Sequence, residues 1–389
     1  VTERLHFTPQ CLYQDLLMRV AITGSGLFTP EASISNEDLV ESFNTYVANY
    51  NAEHAEAIAA GTAQPLSPSS AEFILKASGI RSRHVVNREG VLDPARMRPE
   101  IRTRGNDEPA LMVEMGLSAA RQALQAAGRD GTEVDCVLIA CSNMQRPYPA
   151  MAVELQQCLG AGGFAYDINV ACASAAFGVQ AAVEAVAQGN ARCALVVSPE
   201  ICTGHLNFRD RDSHFIFGDA ATALVVEPLE RAQGARRDEV LGTRLKTQFS
   251  NNIRNNFGFL NRAESTPRTE ADRLFVQEGR KVFKEVVPLV SELIGEHLGA
   301  LALQPDAVKR FWLHQANLGM NQLIAKRVLG REPSLEEAPV ILDRYANTSS
   351  AGSVIAYHLH NADLAEGDVG VLCAFGAGYS AGSVVMRRL

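Results

Sequence analysis

The chain predicts a layered α/β fold made of two similar halves, and three features of the sequence lead there. Short apolar runs at 134–141, 193–198 and 222–227 have the length and composition of strands buried on both faces, and helical patterns at 110–127 and 175–188 separate them. Phe217-Gly218-Asp219-Ala220, with the apolar run that follows it, resembles Phe375-Gly376-Ala377-Gly378 and its own run, so each half closes on the same signal. A chain of 389 residues, 47% hydrophobic and 21% charged, has the composition of a globular protein and the length for one large unit or two fused halves.

The elements follow in order. Residues 1–17 mix charged, polar and aromatic types and read as an N-terminal appendage. The fold proper begins near Met18, where Arg19 to Gly26 reads as a strand closed by a glycine turn. Ser35-Asn36-Glu37-Asp38 has capping-box spacing before a helical pattern, and Ser69-Ser70-Ala71-Glu72 repeats the signal before Phe73. Between them, about 44–68, lies an insert with an Ala-rich helical stretch that ends in the breaker-rich segment Gly61 to Pro68; it is expected to cover a pocket or an edge. Val134 to Ile139 and Val308 to Leu313 each follow a helix and run into a polar turn, again one per half. The boundary is expected near Pro228, before the charged stretch 230–239, giving an N-terminal half over 18–228 and a C-terminal half over 229–389.

A formal net charge of −8 argues against a general nucleic-acid binder, which would need a basic face for phosphate. The eight cysteines include no CxxC pair and no Cys/His zinc spacing, so no metal site is expected, and a reducing, cytoplasmic setting fits them. No segment has the apolar length to span a bilayer, so no membrane insertion is expected. Arg96, Arg98, Arg102 and Arg104 form a basic loop that reads as a solvated surface.

Four positions carry chemistry. Cys172 lies where the strand-like Tyr166 to Val170 passes into a helix of small residues; unpaired N–H groups at a helix start favour thiolate, the nucleophilic form. A lone cysteine is otherwise most often a packing residue. His314 follows the apolar Phe311-Trp312-Leu313 and projects from a strand end, placed to donate to an oxyanion or shuttle a proton, or simply to sit satisfied in the core. Asn347, in Ala346-Asn347-Thr348-Ser349, precedes a helix pattern and would pass for a cap or turn residue if taken alone. Phe375, Gly376 and Ala377 follow a strand and leave backbone N–H groups room to face a carbonyl oxygen, as a tight turn also would.

Taken in order, the cysteine, the His-Gln-Ala-Asn motif at 314–317, the Asn-Thr-Ser motif at 347–349 and the C-terminal Phe-Gly-x-Gly loop resemble β-ketoacyl-ACP synthase III over about Met18 to Leu389. The resemblance implies a thiolase-like fold with two βαβαβ-type halves in an α-β-α-β-α core, usually as a homodimer. It implies an acyltransferase of fatty-acid or related lipid biosynthesis that needs no cofactor. Cys172 would take an acyl group from acyl-CoA, and His314 and Asn347 would hold the thioester oxygen of malonyl-ACP as carbon dioxide leaves. The N–H groups of Cys172 and Ala377 would receive the second oxyanion, beside Phe375. Phe73, Arg211 and Phe217 would contact substrate, Tyr148 would bound the partner's acyl pocket, and Lys284 and Lys326 would meet the carrier protein. The sequence departs from the family pattern at Phe73, Ala77 and Gly319, where a Trp and two Arg residues are common. A polyketide-synthase-type enzyme using malonyl-CoA, or a catalytically silent acyl-binding relative, are the competing expectations.

Overall fold

The computed structural model describes residues 18–389, so the appendage read at 1–17 lies outside the described residues. Among the described residues the strands are β1 (Val20–Phe28), β2 (Ser33–Ser35), β3 (Ser82–His84), β4 (Cys136–Ala140), β5 (Phe164–Ile168), β6 (Ala194–Ile201) and β7 (Asp219–Pro228), followed by β8 (Asp238–Ser250), β9 (Ile253–Arg254), β10 (Val276–Gln277), β11 (Val308–Leu313), β12 (Val369–Gly376) and β13 (Gly378–Arg388). Nine of them are hydrogen-bonded in the order β11-β12-β13-β8-β1-β7-β6-β4-β5. The series β4-β6-β7-β1, one parallel pairing and then two antiparallel ones, reappears as β11-β12-β13-β8 with the same directions.

Side-chain alternation along the strands builds the layers, because successive residues of a strand face opposite sides. Leu138, Ala140, Val196 and Leu224 face inward and share one cluster with the helices Ser174–Ala187 and Ala351–Leu359. Their neighbours Val137, Ile139, Val197 and Val225 face outward onto the helices Leu111–Ala127 and Met151–Leu159. In the second half Leu372, Ala374 and Val384 join the inner cluster, whereas Val371, Cys373 and Val385 pack outward on Gly279–Ala300 and Leu318–Leu329. The result is the expected α-β-α-β-α stack, with the two helices of small residues buried at its centre.

A fourth cluster roofs the site: Leu39, Phe43 and Ile74 of the helices Asn36–Glu53 and Ala71–Ser78 pack on Phe208, Phe215 and Phe217. The first capping box forms as read, Ser35 and Asp38 exchanging two 3.0 Å hydrogen bonds. The second is displaced by one residue. Ser70, not Ser69, is the cap, accepting from the Phe73 N–H at 3.1 Å, and no reciprocal bond forms because the third helical position is Phe73 rather than an acid. The helix Asn36–Glu53 runs uninterrupted through Asn44, and the chain then doubles back along it. Asn44 exchanges hydrogen bonds with the Ser69 backbone (3.1 and 2.8 Å) and Asn51 with Leu66 (3.0 and 2.9 Å).

Among the described residues no helix is long and apolar enough to cross a membrane, and the seven described cysteines are all free. The basic loop is neutralised locally: Arg98, Arg102 and Arg104 each meet a carboxylate, of Glu270, Glu108 and Glu114.

Candidate active site

Cys172 sits on a sharp turn between β5 and the central helix Ser174–Ala187. Ala171 before it has φ of 47°, a conformation that costs a residue with a Cβ and persists only where its surroundings hold it. They do so here: the Asn169 side chain accepts from the Ala171 N–H (3.1 Å) and the Ser174 hydroxyl from the Val170 N–H (2.8 Å). The turn brings Cys172 to the lining of a cavity of about 700 Å³.

The electrostatics of the thiol differ from the reading of the sequence. Burial pushes its pKa up to about 12, only partly opposed by the Ser349 hydroxyl, which donates to Sγ at 3.2 Å, and by its own backbone N–H. The helix begins two residues later, at Ser174, and burial, which disfavours the charged form, is the largest influence on the thiol. With its pKa raised this far, the Cys172 side chain rests as a neutral thiol at ordinary pH. Alkylation of Cys172 by iodoacetamide, followed by peptide mass spectrometry, is expected to rise about tenfold per pH unit from 7 to 10 without a plateau, since the thiolate fraction does so below the pKa. A plateau near pH 8 would reveal a thiolate-stabilising site instead.

The second half supplies two polar groups to the same cavity. His314 follows β11, its N–H bonded to the Cys373 carbonyl at 2.8 Å. Its ring is buried, lies edge-on to Phe375 with centroids 5.1 Å apart, and is brought by burial to a pKa of about 4. Neutral imidazole is thus the form present at ordinary pH, and Nδ1 has no partner among the described residues. Asn347 enters through a bridge to Phe217 of the first half. Its N–H bonds to the Ile216 carbonyl (2.9 Å), and its Oδ1 accepts from the Ser349 N–H (2.8 Å), which leaves the NH₂ end of the amide, at the cavity, without a partner among the described residues.

Two contributors were not singled out in the sequence. Ser349, whose hydroxyl meets the thiol, lay inside the motif that marked Asn347, so spacing alone was available to find it. Glu200 ends the apolar run of β6 and is fully buried; its carboxylate accepts from the N–H (2.9 Å) and hydroxyl (2.6 Å) of Ser142 and from the N–H (3.1 Å) and hydroxyl of Ser350. It clamps the Asn347 loop to the first half. Desolvation raises its pKa, and nothing in the sequence distinguishes it from any acid at a strand end.

Phe375 and Gly376 line the cavity at the end of β12, and Ala377 forms the turn beyond them. A Cβ on Gly376 would stand 2.6 Å from the Cys172 Cβ and 3.1 Å from its Sγ. Gly376→Ala therefore forces Cys172 and the 376 backbone apart, and a misplacement approaching 1 Å at a reacting group costs about 10²-fold in rate. The expected outcome is a loss of about that size in acyl transfer to Cys172, measured by stopped-flow quench, in a protein whose melting temperature is little changed.

At the rim, Phe73 lines the cavity mouth and Arg211 stacks on its ring at 4.2 Å while donating to the Pro68 carbonyl at 2.7 Å. Phe217 is buried against the cavity. Tyr148, 81% exposed, lines neither this cavity nor its neighbour within the chain. Lys284 and Lys326 are exposed on the helices Gly279–Ala300 and Leu318–Leu329, with Lys326 paired to Glu332. The structure thus brings together Cys172, His314, Asn347, Phe375, Gly376, Phe217 and Phe73 at one cavity with Arg211 at its rim, and places Tyr148 and the two lysines elsewhere.

Comparison with known proteins shows the family and the fold. The profile of 3-oxoacyl-[acyl-carrier-protein] synthase III matches residues 166–248, and the profile of its C-terminal part matches 298–388. A beta-ketodecanoyl-[acyl-carrier-protein] synthase of Pseudomonas aeruginosa is 62% identical over 349 residues, covering 90% of this chain and all of its own. A beta-ketoacyl-[acyl-carrier-protein] synthase III of Brucella anthropi is 31% identical over 324 residues, covering 82% and 91%. Among solved structures, a priming beta-ketosynthase of a polyketide pathway superposes with a TM-score of 0.74 (24% identity, covering 95% and 96%). The 3-oxoacyl-[acyl-carrier-protein] synthase III of Aquifex aeolicus superposes with 0.73 (24%, covering 95% and 99%). These last two show that the layered architecture is the thiolase-like fold.

Proposed function

Because this chain belongs to the β-ketoacyl-[acyl-carrier-protein] synthase III family, and so is an acyltransferase that performs a Claisen-type condensation, we propose that it joins a medium-chain acyl-CoA, octanoyl above all, to malonyl-ACP through an acyl thioester on Cys172. The observation that carries the reading is the convergence of Cys172, His314 and Asn347, drawn from both halves, on one cavity. The chain length rests on the 62%-identical relative, whose name specifies a ketodecanoyl product: an octanoyl unit plus the two carbons left when malonyl loses carbon dioxide.

In the first half-reaction the Cys172 sulfur attacks the acyl-CoA carbonyl, loses its proton, and keeps the acyl group as coenzyme A leaves as the thiol. The malonyl arm then takes the same cavity. One N–H of neutral His314 and the NH₂ of Asn347 donate to its thioester oxygen, so the electrons released with carbon dioxide settle as an enolate between two aimed donors. The enolate carbon attacks the acyl-cysteine carbonyl, whose oxyanion the N–H groups of Cys172 and Ala377 would receive beside Phe375. Collapse expels the Cys172 sulfur, which regains a proton, and 3-ketoacyl-ACP departs.

Phe73, Arg211 and Phe217 would guide the coenzyme A end, and the exposed Lys284 and Lys326 would meet an acidic carrier protein. The exposed Phe164 and Tyr166 on the edge strand β5, with Tyr148 nearby in the chain, favour a homodimer joined there. The repeated strand series favours two duplicated halves meeting near Pro228.

The test is intact-protein mass after incubation with acyl-CoAs from acetyl to dodecanoyl, followed by a chase with malonyl-ACP or malonyl-CoA. An octanoyl adduct discharged by malonyl-ACP as 3-ketodecanoyl-ACP is the expected result. Discharge by malonyl-CoA alone would favour the polyketide-type reading, and no adduct at any length would remove the acyl-CoA-primed reaction.

A further inference from the structure

In the reaction proposed above the Cys172 sulfur gains negative charge twice. It is the nucleophile when the acyl group arrives and the leaving group when the enolate takes that group away. Its surroundings oppose the charge, because the thiol is buried and the buried carboxylate of Glu200 adds like-charge repulsion. A buried sulfur that must become anionic needs a donor aimed at it.

Among the described residues one side chain is such a donor. The Ser349 hydroxyl donates to Cys172 Sγ at 3.2 Å and has no second partner. Other serines of the site use their hydroxyls differently. Ser350 bonds Glu200 and the Ala140 carbonyl (3.1 Å), and Ser174 bonds the carbonyls of Ala171 (2.6 Å) and Cys141 (3.2 Å), so both tie the scaffold to itself. Ser349 alone turns its hydroxyl on the reacting atom.

The backbone is held for that contact. Ser349 has φ of 49°, a left-handed conformation that disfavours a residue with a Cβ and persists only where its neighbours fix it. They do so on both sides: the Ser349 N–H donates to Asn347 Oδ1 at 2.8 Å, and the N–H of Ser350 donates to Glu200 at 3.1 Å. Glycine would adopt this conformation without steric cost. The chain carries serine instead, and the side chain that the turn itself does not need is the one that meets the sulfur.

We propose that Ser349 is a catalytic residue of the condensing reaction: its hydroxyl, donating to Cys172 Sγ, stabilises the sulfur as it gains negative charge at attack and again at expulsion. The proposal rests on the acyl-cysteine reaction set out above and adds the group that makes a buried thiol competent in it. Ser349 keeps its own proton throughout. At attack the sulfur's electron pair forms the bond to the acyl carbon, the bond from that carbon to the coenzyme A sulfur breaks, and the thiol proton ends on coenzyme A. At expulsion the carbon–carbon bond to the enolate forms, the Cys172 carbon–sulfur bond breaks, and the sulfur leaves with its electron pair facing the same hydroxyl, then takes a proton from solvent.

The experiment compares Ser349→Ala with Ser349→Gly. Both remove the hydroxyl and keep the N–H that holds Asn347, and glycine also relieves the left-handed backbone. Three rates are read on each: octanoyl transfer from octanoyl-CoA to Cys172 by quenched intact mass, alkylation of Cys172 by iodoacetamide at pH 9 by peptide mass spectrometry, and carbon dioxide release from malonyl-ACP. A hydrogen bond to a charged group is worth about 10- to 100-fold, so octanoyl transfer and alkylation are expected to fall by about that factor in both variants. Carbon dioxide release, which places no charge on the sulfur, is expected to change by less than about threefold. Octanoyl transfer or alkylation that stays at the wild-type rate in either variant overturns the proposal, and so does an equal fall in all three rates, which would make Ser349 part of the loop's architecture only. Wild-type protein that takes no acyl group from any acyl-CoA overturns the acyl-CoA-primed reading instead, and the alkylation rates still decide whether the hydroxyl stabilises charge on the sulfur.

Discussion

Cys172→Ala is expected to abolish the acyl adduct and to lower condensation by at least about 10⁴-fold, because Cys172 is the one cysteine lining the cavity among the described residues and removal of a covalent nucleophile usually costs that much. The other candidate thiols are poorly placed to substitute. Cys202 and Cys141 are fully buried beside Glu200, and burial raises both pKa values far above the usual thiol range. The same variant should still release carbon dioxide from malonyl-ACP, since His314 and Asn347 remain and the enolate needs no thiol to form. Intact mass with octanoyl-CoA and a carbon dioxide assay read the two steps separately. An adduct that survives in Cys172→Ala would mean another residue carries the acyl group.

The second large effect concerns the opposite half of the cycle. His314→Ala and Asn347→Asp should each lower decarboxylation by about 10²–10³-fold, the usual loss of one aimed donor at a developing oxyanion, while octanoyl still loads Cys172. Asn347→Asp is the more telling of the two. A carboxylate keeps the acceptor for the Ser349 N–H, bonded at 2.8 Å in the native chain, and removes the NH₂ donor. Because burial lowers the His314 pKa to about 4, the ring has already lost its second proton and keeps one N–H above that value, and the decarboxylation rate should show no inflection near pH 6.5. An inflection there would mean that imidazolium is the working form. Equal loss of loading and decarboxylation in both variants would mean that the two residues serve the site's architecture rather than the enolate.

Much of the fold was legible because its signals are local. Runs such as Val137-Leu138-Ile139 are apolar at every position, which suits a strand covered on both faces, and the structure buries their odd and even members in different clusters. The Ser35 capping box is spelled within four residues and forms as spelled. The Ser69 box misled by one position, because a serine pair offers two candidate caps, and in the fold Asn44 holds the Ser69 backbone while the Ser70 hydroxyl accepts from the Phe73 N–H.

The site divides along the same line. Cys172, His314, Asn347 and Gly376 could be named in advance because each lies at a strand end or turn with a distinctive local run, and four such runs in order are specific even when each alone is ambiguous. Their meeting spans 142 residues from Cys172 to His314 and depends on two halves packing about a shared helical layer. The protonation of the thiol, the orientation of the Asn347 amide and the Glu200 clamp left no trace in the order of residues. Each is set by desolvation or by contacts between segments far apart in the chain. A motif names the group that can react; how much water and which neighbours surround it is a property of the packed structure.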